Sequence, residues 1–261
     1  MPDWLIVVIL GLIEGITEFI PISSTGHLLI AEQWLGSRQS DVFNIVIQVG
    51  AVLAVLPLFR TRVAMLLRWR EPASQLLNLK ILVAFGITGA GGLILKKMGF
   101  ELPEELLPVA IALLVGGIVF IVVEGMLKGR TGSDTISWPV VFAVAFAQLL
   151  AAAFPGASRS GSTIMFAMML GTGRVAATEF SFLVGIPTML AAGAYEIYSK
   201  LKDGGTEDWP MLALGFVVAA IVSFIAVKWL LRYVQSHTFV SFGIYRIAFG
   251  LLLLGLYFTH R

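Results

Sequence analysis

The chain has 261 residues and a net charge of +2, and 58% of its residues are hydrophobic while only 13% are charged. Soluble domains carry roughly twice that share of charged residues, so the composition excludes an ordinary soluble protein and predicts an integral membrane protein in contact with membrane lipids. Cysteine is absent, which excludes a disulfide framework, a thiolate metal site and a cysteine nucleophile. The scattered charge gives no indication of nucleic-acid binding.

The first apolar stretch runs from Trp4 to Ile13 and continues directly into Glu14 and Glu18. It has no basic segment before it and no small-residue cleavage site after it. We therefore interpret it as part of the membrane domain and not as a signal peptide.

The apolar stretches predict an all-α, polytopic protein with six transmembrane helices and two re-entrant helical hairpins. In chain order the predicted helical segments are 4–20, 25–36, 41–59, 77–97, 104–127, 135–154, 160–172, 176–199, 208–231 and 239–259.

The predicted hairpins are the first two segments and the sixth and seventh. Each pair meets at a break rich in proline, serine and glycine, Pro21 to Gly26 in the first and Pro155 to Gly161 in the second. Gly36 and Gly171 end the second helix of each pair too early for it to span a bilayer. Irregular backbone at membrane depth is tolerated where it lines a cavity, so these breaks are candidate site positions.

The two breaks also resemble each other, which indicates a weak internal repeat. Glu14 and Gln148 each lie seven residues before the proline of a break, and we align Ser24 with Ser158. A single membrane domain, 1–261, then consists of two halves, about 1–130 and 131–261. Each half holds one hairpin and three spans, and this odd number of crossings predicts that the second half is inverted.

Basic residues predict the orientation, because cytoplasmic loops are rich in lysine and arginine. One set, placed inside, is Arg60, Arg62, Arg68, Arg70, Lys80, Lys128, Arg130, Arg174, Lys228 and Arg232. A smaller set then lies outside among acidic residues: Arg38, Lys96, Lys97, Lys200, Lys202 and Arg261. Both termini are therefore predicted to lie outside.

Two carboxylates in the first segment are candidate site residues. Glu14 and Glu18 are four residues apart, so a helix places them on one face. Because a carboxylate in hydrocarbon is costly, the pair needs a cavity or a cation. One interpretation is a site for a divalent cation, Mg²⁺ or Ca²⁺, or an acid-base carboxylate beside a ligand. The other is a hydrated pair near a helix end.

The first break brings hydroxyls, backbone N–H groups and an imidazole to the start of a helix, which favours anion binding. Ser23, Ser24 and Thr25 are candidate phosphate contacts, and Ser24 is a candidate nucleophile. Any of them could instead cap the helix. His27 is a candidate base, although a lone histidine is more often structural.

The second break supplies a positive charge within an apolar stretch. Arg159 lies between Ser158 and Ser160, with Thr163 one turn later. Arginine binds phosphate oxygens with a planar fork, so these four residues are candidate phosphate ligands. An ion pair of Arg159 with Glu14 or Glu18 is the alternative interpretation.

These residues carry a resemblance to a known family. The stretch from Glu14 to His27 resembles the glutamate-rich first motif of the bacitracin-resistance type of undecaprenyl-diphosphate phosphatase, and Pro155 to Thr163 resembles its second motif. The stretches Ile47 to Gly50, Thr178 to Phe182 and Tyr245-Arg246 resemble other parts in the same order.

The resemblance implies hydrolysis of a polyprenyl diphosphate carrier lipid at the outer face of the bacterial cytoplasmic membrane, which recycles the lipid for peptidoglycan synthesis. It also implies an inverted-repeat fold with two hairpins. The implied functional set is Glu14, Glu18, Ser24, His27, Ser158, Arg159 and Thr163, with Gln48 as a weaker member. The oligomeric state, including a homodimer, stays open.

Two other functions compete with this one. The phosphatidic acid phosphatase type of lipid phosphatase requires an Arg-Pro motif and a second histidine, yet the chain has no Arg-Pro dipeptide and no histidine between His27 and His237. A transporter or lipid flippase is the alternative from another class, because inverted repeats with a midplane site are typical of alternating access.

Overall fold

A computed structural model of the chain describes residues 1–66, 68, 70–98, 105–202 and 207–259. These residues form α-helices joined by short turns, and one isolated bridge between Ser133 and Thr172 is their only strand-like pairing. The helices are α1 Asp3–Thr17, α2 Ser24–Leu35, α3 Asp41–Val55, α4 Arg60–Leu66, α5 Pro72–Lys97, α6 Leu106–Met126, α7 Trp138–Ala153, α8 Arg159–Met169, α9 Arg174–Lys202, α10 Trp209–Tyr233 and α11 Val240–Thr259.

Six helical stretches in the described part of the chain are long and apolar enough to cross a membrane, which confirms the predicted polytopic architecture. The first is a continuous span, Asp41–Leu66, in which a 3-10 turn at Leu56–Phe59 joins α3 to α4. The other five are helices α5, α6, α9, α10 and α11.

Most predicted segments agree with the helices, but two predicted boundaries were wrong. The segment predicted to end at Phe59 continues to Leu66, because Pro57 tightens one turn into a 3-10 helix without ending the span. The segment predicted to begin at residue 77 begins at Pro72, where proline occupies the first helical position and loses no hydrogen bond. The predicted helix start at residue 104 and the predicted loop charge Arg261 lie outside the described residues.

Apart from α3 and α4, which together form one span, four of the described helices are too short to span a bilayer, and they form two hairpins. Helices α1 and α2 have 15 and 12 residues, and α7 and α8 have 16 and 11. At about 1.5 Å per residue the longest reaches roughly 24 Å, less than the ~30 Å hydrocarbon core. Backbone hydrogen bonds join Ser133 to Gly171 and Gly173, so α7 begins close to where α8 ends. Gly36 and Gly171, predicted to end α2 and α8, both adopt positive φ there.

Glycines bring the hairpins and spans into close contact. A Cβ at Gly15 of α1 would lie 2.7 Å from the backbone oxygen of Ala219 in α10. Helices α6 and α11 touch in the same way, since a Cβ at Gly117 would lie 2.7 Å from the Gly243 oxygen. Small residues at such crossings permit the backbone contact that stabilises helix pairs in lipid. Each hairpin packs against a span from the other part of the chain: α1 packs against α10, and α7 packs against α5.

Candidate active site

The site begins at two strained residues, one in each break. Ser23 and Ser158 have φ values of +76° and +65°, and they are the two non-glycine residues with positive φ in the described chain. Such backbone conformations cost energy and tend to occur at functional positions. Each serine directly precedes a helix, α2 at Ser24 and α8 at Arg159. Aligning Ser24 with Ser158 was therefore wrong by one residue, and Ser24 corresponds to Arg159.

The two breaks meet at the Glu18 side chain. Glu18 follows the last residue of α1 and is 7% exposed. The Ser24 hydroxyl donates a hydrogen bond to Glu18 Oε2 at 2.7 Å, and Arg159 Nη2 donates to Glu18 Oε1 at 3.0 Å. The predicted convergence of the acidic first break and the basic second break is confirmed, and Arg159 forms the ion pair that was its alternative interpretation.

The Arg159 guanidinium keeps one donor group free. Its Nη1 atom is buried and has no hydrogen-bond partner in the described residues. The guanidinium carbon lies 5.8 Å from the centre of the Phe19 ring, which helps to hold its plane. Gly185 of α9 makes room for it, because a Cβ there would lie 1.9 Å from Nη1. Glu18 therefore occupies one edge of the guanidinium and leaves hydrogen-bonding capacity elsewhere.

A cavity of about 240 Å³ opens beside this ion pair. Its wall includes seven of the predicted site residues: Glu18, Ser23, Ser24, Thr25, Gln48, Ser158 and Arg159. Polar residues that sequence reasoning had not assigned to the site complete it: Thr88, Gln148 and Thr188. A polar side chain in an apolar helical segment is the signal that could have found them. Gln148 also donates a hydrogen bond to the Thr88 hydroxyl at 3.0 Å.

Glu14 lies deeper, one helical turn before Glu18. It is 1% exposed, and neither carboxylate oxygen has a hydrogen-bond partner among the described residues. A buried carboxylate in this state must carry a proton or be neutralised by a cation. Glu18 and Arg159 are charged groups close enough to interact electrostatically with the Glu14 carboxylate.

These two carboxylates fit a divalent cation in part. Their oxygens are the hard ligands that Mg²⁺ and Ca²⁺ prefer, and Glu14 has both oxygens free. The Glu18 oxygens are shared with Ser24 and Arg159. No group of three or more histidine, aspartate or glutamate side chains arranged for a metal occurs within the described ranges, so a bound cation would need ligands from hydroxyls, water or substrate phosphate.

Two predicted phosphate ligands, Thr163 and Ser160, do not line the cavity, because their hydroxyls form hydrogen bonds around the start of α8. Thr163 donates to the carbonyls of Arg159 and Ser160 at 2.8 and 3.1 Å. Ser160 is fully buried between the Ser158 hydroxyl, at 3.3 Å, and the Glu18 carbonyl, at 3.5 Å. Their hydrogen bonds stabilise the backbone at Arg159 and Glu18 on the side away from the cavity.

His27 also lies outside the cavity wall. Its Nδ1 is 2.7 Å from the Ser23 carbonyl, which can only accept, so Nδ1 carries the proton. Nε2 then accepts a hydrogen bond from the Tyr245 hydroxyl at 2.7 Å. The ring stacks on Phe249 with centroids 4.2 Å apart. In this arrangement His27 supports the strained serine, and Glu18 is the carboxylate in contact with Ser24.

Comparisons with known proteins identify the family of this chain. Residues 7–252 match the model of the family described as bacitracin resistance protein BacA. The chain belongs to this family. A curated relative from Rhizobium etli (strain CFN 42), named undecaprenyl-diphosphatase, is 56% identical over 258 residues. A relative of the same name from Xanthomonas euvesicatoria pv. vesicatoria (strain 85-10) is 50% identical, and each match covers 97% of both chains.

Membership of the BacA family confirms the resemblance drawn from the two motifs. The matched residues, 7–252, include Glu18, Ser24 and Arg159, and they cover most of both hairpins and of the six spans.

Proposed function

We propose that this chain is an undecaprenyl-diphosphate phosphatase that converts a polyprenyl diphosphate lipid to the monophosphate and inorganic phosphate, and so recycles the carrier lipid for cell-wall synthesis. The observation that carries this proposal is the contact of Ser24 and Arg159, from opposite halves of the chain, with one carboxylate at a cavity wall. The relatives bear the corresponding name.

The residues can divide the work of phosphoryl transfer between them. Arg159 lies on the cavity wall, where its guanidinium would bind the terminal phosphate oxygens, and the backbone N–H groups at the starts of α2 and α8 would add donors. Ser23, Thr25, Ser158 and Gln48 lie on the same wall. Positioning and charge neutralisation of this kind account for most of the catalysis of phosphoryl transfer.

Ser24 is placed to act as the nucleophile. Its hydroxyl would transfer a proton to Glu18 as its oxygen bonds to the terminal phosphorus. The bond from that phosphorus to the bridging oxygen then breaks, and the lipid monophosphate leaves. Water would hydrolyse the phosphoserine and release inorganic phosphate. Direct attack by water, with Ser24 and Glu18 orienting it, is the alternative.

A divalent cation is the second part of the proposal. Glu14 and Glu18 would hold it, and bound there it would neutralise charge on the diphosphate oxygens. The support is the buried Glu14 carboxylate, which has no hydrogen-bond donor among the described residues.

We also propose that the chain consists of two inverted halves and that both termini lie on the outer side of the membrane. The support comes from ion pairs that lie at the two opposite ends of the spans. One end has Arg62–Glu179 and Arg174–Glu124, and the other has Lys96–Glu196 and Lys200–Asp41. The first end carries the basic set assigned to the cytoplasm. The first hairpin then enters from the outer side of the cytoplasmic membrane, and the substrate head group would reach the site from there.

Among the described residues no specific contact favours the flippase alternative, whereas a serine hydroxyl that donates to a carboxylate fits a nucleophile beside its base.

Purified protein supplied with undecaprenyl diphosphate should release inorganic phosphate and leave an equal amount of lipid monophosphate. Binding of the substrate without phosphate release would contradict the proposed function and favour a transporter.

A further inference from the structure

Arg246 is a buried charge that the proposed chemistry does not use. It lies in α11 among apolar neighbours and is 0% exposed. It forms no ion pair with a described carboxylate. A buried ion without a counter-charge costs several kcal/mol unless hydrogen bonds compensate for it. The bonds that it makes therefore indicate its role.

Those bonds reach both breaks. Arg246 Nη1 donates to the Pro21 carbonyl at 3.4 Å, in the first break. Nη2 donates to the carbonyls of Gly156 and Ala157 at 3.0 and 3.1 Å, in the second. A fourth bond, at 3.2 Å, goes to the Ala112 carbonyl of α6. One guanidinium thus joins two loops whose own residues are more than 130 positions apart in the chain.

Helix α6 is shaped to receive this side chain. The guanidinium carbon lies 5.4 Å from the centre of the Phe120 ring. At Gly116 an added Cβ would lie 2.1 Å from Nη2 and 2.8 Å from Cζ of Arg246. Glycine is therefore required at this position for the guanidinium to lie where it does.

We infer that Arg246 is a positioning residue of the phosphatase site, which holds the two breaks in register so that Ser24 and Arg159 act on the same phosphate. The inference rests on the proposed function for its effect on turnover. The tie between the breaks is independent of that function. Because the bonded carbonyls belong to the turns that precede α2 and α8, losing the tie lets the two helix starts move relative to each other.

Substitution of Gly116 tests this without removing the charge. Gly116→Ala should displace the guanidinium, and Gly125→Ala is the matched control because nothing lies within 4 Å of a Cβ at that position of the same helix. We expect kcat to fall about 10- to 100-fold in Gly116→Ala, as small misplacements of reacting groups do. KM should change less than kcat, and Gly125→Ala should stay within about twofold of the unmodified protein.

Hydrogen exchange measured by mass spectrometry supplies a readout that does not depend on activity. Faster exchange confined to peptides covering residues 19–26 and 154–161 is expected in Gly116→Ala and in Arg246→Gln. Arg246→Lys should recover part of the protection, because an ammonium can still donate to some of these carbonyls. Unchanged exchange at the breaks, a uniform increase over all helices, or normal turnover with loosened breaks would each overturn the inference.

Failure of the proposed function would look different. If Ser24→Ala and Arg159→Lys kept full turnover while the breaks loosened in Arg246→Gln, the assigned site would be wrong and the structural tie would stand.

Discussion

The two hairpins share a backbone design but carry different chemistry. Each has a serine of positive φ just before its second helix, Ser23 in one and Ser158 in the other. At the first position of that helix the first hairpin has Ser24 and the second has Arg159. Seven residues before the proline, one has the carboxylate Glu14 and the other the amide Gln148.

This difference shows how two hairpins with similar turns can build one asymmetric site. The strained turn presents a helix start twice, and each helix start favours an anion. The acidic hairpin carries the proposed nucleophile and the carboxylates, and the basic hairpin carries the arginine proposed to bind phosphate. Because Glu18 bonds to both Ser24 and Arg159, neither hairpin holds the complete site alone.

Loss of the Ser24 hydroxyl should have the largest effect. We expect Ser24→Ala to lower kcat by about 10³-fold or more while substrate binding persists, because the nucleophile is lost but the arginine and helix starts remain. Phosphate release and lipid binding measured on the same preparation test this. Near-normal turnover would remove the nucleophile assignment and favour attack by water.

Replacement of the arginine by lysine should have the next largest effect. Arg159→Lys keeps the positive charge but loses the planar fork, so it cannot serve Glu18 and phosphate at the same time. We expect turnover to fall about 10²-fold and KM to rise, with a greater loss for Arg159→Ala. A lysine variant as active as the unmodified protein would reduce Arg159 to a nonspecific positive charge.

Glu14→Gln makes the two hairpins alike at this position. The amide keeps the volume but removes ligand charge, so we expect turnover to fall about 10- to 100-fold and the response to Mg²⁺ or Ca²⁺ to weaken. A titration of each cation after treatment with a chelator measures this. The thermal midpoint should hold or rise, because a buried carboxylate without a donor is removed. Full activity in chelator would show that the carboxylate is structural.

The sequence predicted the hairpins, the spans and the meeting of Glu18 with Arg159, because breaks and charges in apolar segments are rare and costly. It did not separate residues at the cavity wall from residues behind it. Thr163 and His27 are polar residues near a break, as Ser24 is, so the sequence alone does not distinguish them. In the structure their polar atoms form hydrogen bonds away from the cavity wall. Arg246 belongs to a stretch that resembles the family, but the sequence does not show which groups it contacts. Its hydrogen bonds to both breaks are seen only in the structure.

The smallest effect concerns the serines of positive φ, which look equivalent but bond differently. The Ser158 hydroxyl accepts a hydrogen bond from the Gly161 N–H at 3.2 Å, whereas the Ser23 hydroxyl makes no such cap. Ser158→Ala should therefore cost about 1 kcal/mol of stability, and Ser158→Gly only a few tenths, since glycine tolerates positive φ. Thermal unfolding of both variants measures the difference, and turnover per folded molecule should fall less than about threefold. A large loss of turnover in Ser158→Ala at unchanged stability would mean that this hydroxyl binds the phosphate instead of capping the helix. The second hairpin would then bind phosphate through Ser158 as well as Arg159, and the difference between the two hairpins would be larger than their contacts indicate.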